Sequence, residues 1–411
     1  MRPIKKLILV ALALLISSCS NDENEAIDQI NKTSLFNKVI TPEVNEDSSS
    51  EASLEAFSSS DVPSLGSRSH YPTNEIEPGI LTAGEWSDLN NWEFWKSLID
   101  SQVYIEGVNK WNLKETKRYS FQVYDTNKSP VANAEIKLLV NQTTVWKTKT
   151  DNTGKATLWS NLEFNQLTAS ITIKDTKEIV TSVKEHSQGI NEIKLNKTIA
   201  NKKIIDIYFA IDTTGSMGDE IDYLKAELNY VIESIKKKSP LVEMRLGAVF
   251  YRDKGDEYIT RNFSFTENET NLVSFIKEQS ANGGGDFPEA VHDALDVAIS
   301  QNSWNDDASS RIIFLLLDAP PHYTQEVISS LEKNLIKAAE QGIKIIPISA
   351  SGIDKATEYL MRSFAILTNG TYVFITDDSR IGNPHITPTI GDYEVQKLNE
   401  LLIHLVDQYI P

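Results

Sequence analysis

One carboxylate and two hydroxyls stand at alternate positions in Asp212-Thr213-Thr214-Gly215-Ser216-Met217-Gly218. In an extended turn such positions point the same way, so Asp212, Thr214 and Ser216 offer one convergent set of oxygen donors. Hard oxygen ligands suit Mg²⁺, Mn²⁺ or Ca²⁺ rather than zinc or copper.

The flanking residues show what must position them. Ile204 to Ile211 reads as a buried strand ending at the aspartate. Residues 219–238 then place Ile221, Leu224, Leu228, Ile232 and Ile235 on one helix face. Asp219, Glu220 and Asp222 open that helix and Lys236, Lys237 and Lys238 close it, as its dipole favours. Further strands are expected at Arg245–Phe250, Ile312–Leu317, Lys344–Ile348 and Tyr372–Ile375. Helices are expected near 270–280, 288–301, 325–341, 354–367 and 393–409. The alternation predicts an α/β fold, a Rossmann-like, mostly parallel sheet flanked by helices. Ligands of such sheets sit at the carboxyl ends of the strands.

Asp-x-Thr-x-Ser after a buried strand resembles the metal-ion-dependent adhesion site of the von Willebrand factor type A family. Two later segments carry the same resemblance. Gly283-Gly284-Gly285-Asp286-Phe287-Pro288-Glu289-Ala290 is similar to the second metal loop of a subgroup with a Gly-Gly-Gly-Asp-x-Pro-Glu signature. Leu315-Leu316-Leu317-Asp318-Ala319-Pro320-Pro321-His322 is similar to the strand-end loop that supplies a third group. The resemblance covers residues 203–411. It implies Asp212, Thr214 and Ser216 as first-loop ligands and Asp318 as a later aspartate, often acting through water.

At the second loop the family commonly has threonine, and Asp286 occupies the matching place. Three carboxylates would then surround a divalent cation, Mg²⁺ foremost with Ca²⁺ or Mn²⁺ as alternatives. The expectation is tighter metal binding and a weaker pull on a partner's acidic group. Asp286 is equally well placed to cap a helix beginning at Pro288, and both roles stay open. His322 reads as a structural loop residue.

Catalysis finds little support. A haloacid-dehalogenase phosphatase needs a second aspartate where Thr214 stands. Gly215-Ser216-Met217-Gly218 is not a Gly-x-Ser-x-Gly elbow. The chain has no His-Glu-x-x-His helix and no Gly-rich Lys-Ser/Thr phosphate loop. With no candidate base beside the metal loops, a metal-assisted hydrolase is the lesser alternative.

The N-terminus reads as an address. Arg2, Lys5 and Lys6 precede the apolar run Leu7 to Ile16, and Ser17-Ser18 precede Cys19. Residues 1–18 thus resemble a lipoprotein signal peptide whose lipobox ends at Cys19, the acylated first residue of the mature chain. The acidic run Ser20 to Glu25 resembles the export signal of surface lipoproteins of the Bacteroidetes. Residues 19–75 are acidic and serine-rich without apolar periodicity, which predicts a disordered tether. Attachment to the membrane is expected by lipid only.

Residues 76–200 are expected to form a small all-β sandwich, because short alternating runs are spaced by turn residues. The order strand, Ser129-Pro130-Val131-Ala132-Asn133-Ala134, strand, Thr150-Asp151-Asn152-Thr153-Gly154-Lys155-Ala156 resembles carboxypeptidase regulatory-like and bacterial Ig-like domains over residues 117–197. Its leading segment 81–95, holding Trp86, Trp92 and Trp95, is expected to pack against the sandwich as core.

Composition narrows the rest. The 411 residues carry 58 acidic and 40 basic side chains, a formal charge of −18. That balance speaks against a nucleic-acid partner. A single cysteine excludes an intramolecular disulfide framework and paired-thiolate zinc sites. The expected protein is a non-enzymatic, lipid-anchored, surface-exposed outer-membrane protein that engages a protein partner through a metal bridge. Envelope assembly is the alternative role.

Overall fold

A computed structural model describes residues 76–111, 113, 117–160 and 167–410. The signal segment, Cys19 and the acidic stretch lie outside the described residues. The described chain begins with β1 (Thr82–Trp86) and two short helices, α1 (Trp92–Ile99) and α2 (Ile105–Trp111).

Seven strands follow: β2 (Arg118–Tyr124), β3 (Glu135–Val140), β4 (Thr143–Lys149), β5 (Lys155–Trp159), β6 (Thr168–Ile173), β7 (Thr176–Val180) and β8 (Asn191–Lys194). They make a sandwich of a three-stranded sheet, β5-β2-β8, on a four-stranded one, β4-β3-β6-β7. Ile136, Leu138 and Val140 alternate inward along β3. The β3–β4 hairpin turns on Asn141 and Gln142, both at positive φ, the two-residue geometry that matches strand twist.

The remaining chain runs β9 (Ile204–Asp212), α3 (Ile221–Lys238), β10 (Glu243–Tyr251), β11 (Thr260–Thr266), α4 (Glu269–Lys277), α5 (Val291–Ser300), β12 (Ser310–Leu317), α6 (Gln325–Gln341), β13 (Ile343–Ser349), α7 (Lys355–Leu367), β14 (Tyr372–Ile375), β15 (Gln396–Lys397) and α8 (Leu398–Tyr409). Its sheet has eight strands in the order β11-β10-β9-β12-β13-β14-β1-β15. The five from β10 to β14 are mutually parallel, while β11 and β1 run antiparallel to their neighbours. Side chains of β9 alternate between the two faces. Ile205, Ile207, Phe209 and Ile211 pack with α3, α4 and α8, whereas Tyr208 and Ala210 face α5, α6 and α7. This is the expected α/β architecture, with Asp212 and Asp318 at the carboxyl ends of adjacent central strands.

The domain boundary differs from the one read in the sequence. β1, grouped there with the sandwich, belongs to the larger sheet: it pairs with β14 from Ala83–Ile375 to Trp86–Tyr372 and with β15 on its other edge. The buried Glu227 of α3 holds the entry to β1, accepting from the backbone N–H groups of Gly79, Ile80 and Leu81 at 2.8, 3.0 and 3.2 Å. The aromatic segment bridges the two units. Trp92 meets Trp159 of the sandwich at 5.2 Å between ring centroids, and Trp95 stacks on Tyr359 of α7 at 5.7 Å. The sandwich is therefore an insertion after β1, α1 and α2, sharing one hydrophobic core with a face of the large sheet.

Candidate metal centre

Strand β9 delivers Asp212 into a fully buried position, and the chain then leaves in an extended step before a tight turn over Gly215–Asp219. Asp212 organises that step. Its Oδ1 accepts from the Thr214 backbone N–H at 2.9 Å and from the Thr214 hydroxyl at 2.7 Å. The Thr214 and Ser216 hydroxyls lie 3.1 Å apart. Ser216 is exposed at the mouth and hydrogen-bonds to Asp318, which stands buried past the end of β12. Four of the five residues expected from the sequence thus assemble.

Asp286 does not join them. Its side chain is exposed, and the following helix starts only at Val291, with Ala290 at the N-cap and no capping side chain. The cap role expected for it is therefore not seen. The loop turns so that the signature's other acid, Glu289, is buried instead. Its backbone N–H donates to the Pro320 carbonyl at 2.9 Å, fixing it beside the Asp318 loop.

Backbone geometry and close packing explain the first two of the three glycines. Gly283 and Gly284 both have φ in the left-handed region, +77° and +74°. A Cβ on Gly283 would stand 2.4 Å from the Asp256 carboxylate, and one on Gly284 3.1 Å from Glu289 Oε1 and 3.5 Å from Thr214 Cβ. Gly283 also accepts from the Gly215 N–H, so the two loops close on each other. Asp256 Oδ2 receives the Gly284 N–H at 2.8 Å. Arg252 braces the first loop, donating from Nε to the Thr213 carbonyl at 3.2 Å and from Nη2 to the Ser280 carbonyl at 2.9 Å. His322 pairs with Asp253 at 2.6 Å, a loop contact.

The electrostatics are those of crowded acids. Burial first, and then the Asp318 charge, push Asp212 above the usual carboxylate range, and burial does the same to Asp318. Glu289 is pushed up to about 9 by burial and then by Asp212, Asp253, Asp318 and Asp256. A titratable group does therefore stand beside the metal loops, contrary to the expectation that none would. Glu289 belongs to the Gly-Gly-Gly-Asp-x-Pro-Glu segment, but its burial depends on the turn of the loop.

Asp212 Oδ2, Asp318 Oδ1 and Glu289 Oε2 are all buried without a hydrogen-bond partner among the described residues. Buried charged oxygens in that state carry a desolvation cost that a hard cation offsets. The residues present fit a divalent cation on this ground and on their donor chemistry. Among the described residues, no three carboxylate, imidazole or thiolate groups are already drawn together as a coordination shell. The hydroxyls of Thr214 and Ser216 are needed to complete one.

Comparison with known proteins agrees with this geometry. The von Willebrand factor A domain family matches residues 206–364, a span that includes all of these residues. The chain is similar to alpha-protein kinase vwkA of Dictyostelium discoideum, 26% identical over 245 residues, 57% of this chain and 38% of that protein. It is also similar to von Willebrand factor A domain-containing protein 7 of Homo sapiens, 31% identical over 113 residues, 28% of this chain and 12% of that protein. The chain thus spans well under half the length of the curated relatives it matches. Among solved structures, the conserved hypothetical protein BatB from Bacteroides thetaiotaomicron aligns at 12% identity and a TM-score of 0.35, over 50% of this chain and 98% of that one. The sheet order and the strand-end loops agree with the match of residues 206–364 to the von Willebrand factor A domain family.

Proposed function

We propose that this chain is a non-enzymatic binding protein that engages a protein partner through a divalent cation held by Asp212, Thr214, Ser216 and Asp318. The observation that carries the reading is the pair of buried carboxylates at the ends of adjacent strands, each keeping one oxygen without a partner. A cation bound there, Mg²⁺ foremost, supplies a Lewis-acid contact for an oxygen of the partner. The chain's own residues do the rest. Thr214 orients Asp212 through two hydrogen bonds, and the exposed Ser216 sets the mouth of the site. Arg252 and Asp256 fix the backbones of the two loops through Thr213 and Gly284.

The proposed setting is the cell envelope, with the chain acylated at Cys19 and exposed on the outer-membrane surface. The lipobox-like N-terminus supports this. Among the described residues no helix is long and apolar enough to cross a membrane. The reading is tested by titrating Mg²⁺ into the full chain and into Asp212→Ala by calorimetry. Saturable heat that the substitution abolishes, with an unchanged circular dichroism spectrum, supports it. Heat of the same size in both variants overturns it.

A further inference from the structure

Resting on the proposed cation site, we infer that Glu289, and not Asp286, supplies the third carboxylate to the bound ion. The two acids share one loop but differ in burial. Asp286 is exposed and next to Phe287, itself 46% exposed. Glu289 is only 3% exposed and is tied by its backbone to the loop of Asp318, through the Pro320 carbonyl and a bridge to Pro321. Its Oε1 lies 3.1 Å from the point where a Cβ on Gly284 would sit, and Thr214 Cβ lies 3.5 Å from that same point. The glutamate therefore looks across a bare glycine at the first metal loop.

The neighbouring acids are already engaged. Asp253 is paired with His322, and Asp256 receives the backbone N–H groups of Asp253 and Gly284. Glu289 Oε2 has no such partner, and it shares this state with Asp212 Oδ2 and Asp318 Oδ1. Among the described residues the three are not drawn together as a shell, so a cation that binds all three would draw them in. A divalent ion held by all three leaves one negative charge in excess, so the partner group that completes its shell is a neutral oxygen, a carbonyl or hydroxyl, rather than a second acid.

The test is Mn²⁺ titration of the full chain, read by the electron paramagnetic resonance signal of the unbound ion. The variants are Asp212→Asn, Glu289→Gln, Glu289→Asp and Asp286→Asn. The expected result is loss of binding in Asp212→Asn and weakening of at least about tenfold in Glu289→Gln, as befits loss of a ligand. Asp286→Asn stays within about twofold of the parent, as a surface change does. Should Glu289→Gln fail to fold, Glu289→Asp, which keeps the charge but retracts it by a methylene, carries the test. Weakening in it supports the assignment, and parental affinity overturns it. Parental affinity in Glu289→Gln, with Asp212→Asn inactive, overturns the role of Glu289 and leaves the cation site standing. No saturable binding in the parent overturns both.

Discussion

Arg362 and Asp88, 274 positions apart, form a bidentate ion pair with both side chains buried. Nε donates to Oδ2 at 2.9 Å and Nη2 to Oδ1 at 2.6 Å. The pair locks α7 to the turn that follows β1, and Arg362 Nη1 adds a bond to the Thr389 carbonyl. Burial still pushes the Asp88 carboxyl above its usual range despite the guanidinium beside it. Asp88→Ala removes the bidentate partner and leaves the buried cation with Glu358, 3.6 Å away, as its counter-charge, and is expected to destabilise the protein by about 3 kcal/mol. Urea unfolding checks this, and a loss below about 1 kcal/mol would place the pair with ordinary surface bridges.

A second expectation concerns pH. Asp212 is raised to about 7 and Asp318 to about 6, against about 3.9 for an unfolded aspartate. The metal-free folded state therefore retains protons that the unfolded chain has released. Their stabilising contribution is complete below about pH 4 and is lost as pH rises through about 6 and 7. Bound metal displaces those same protons, so Mg²⁺ binding strengthens over that interval. With Glu289 pushed up to about 9 as well, thermal midpoints with and without Mg²⁺ should diverge from about pH 5 to about pH 9; a constant gap contradicts the expectation.

The three adjacent glycines should respond differently to alanine. Gly284→Ala forces a side chain onto φ +74° and against Glu289 Oε1. It should cost about 1–3 kcal/mol and lower metal affinity. Gly285 has neither positive φ nor any atom within 4 Å of a built Cβ, so Gly285→Ala should be neutral in both. Parallel melting curves and metal titrations distinguish the two, and equal losses would disprove the steric account.

Cutting at the boundary read from the sequence should fail. A fragment beginning at residue 203 lacks β1, leaving β14 with a bare hydrogen-bonding edge where Ala83–Trp86 had paired. It also strips Glu227 of the N–H groups of Gly79, Ile80 and Leu81 while keeping that carboxylate in the interior. The fragment is expected to aggregate or unfold, whereas residues 76–410 should melt cooperatively. Gel filtration and circular dichroism settle the matter, and a monomeric, folded 203–410 would refute the role given to β1.

The legible parts of the sequence were those governed by local pattern. The buried runs of β9, β12 and β13 and the amphipathic α3 and α6 carry their periodicity in adjacent residues, so each was placed within a residue or two. β11 was missed because an edge strand with half-exposed residues lacks a strong pattern. β1 was missed for another reason: its partner Ile375 lies almost 300 residues away in sequence, and five residues with Gly84 in the middle give no strand signal alone. In the site, Asp212, Thr214 and Ser216 were readable because one turn spaces them. Glu289 was not, since only the left-handed pair Gly283 and Gly284 turns the loop to bury it and expose Asp286.

The position of β1 also determines how the molecule transmits force. Tension applied from the N-terminal side at residue 76 reaches the eight-stranded sheet before it reaches the sandwich, because β1 is already woven between β14 and β15. A load between that end and a partner at the metal centre runs across the sheet and through Glu227 and the Asp88–Arg362 clasp. The sandwich hangs to one side of this path as a brace, neither lengthened nor unfolded by the pull. Under the proposed function, a partner bound at Ser216 is mechanically in series with β1, whose ladder to β14 and β15 then carries the pull.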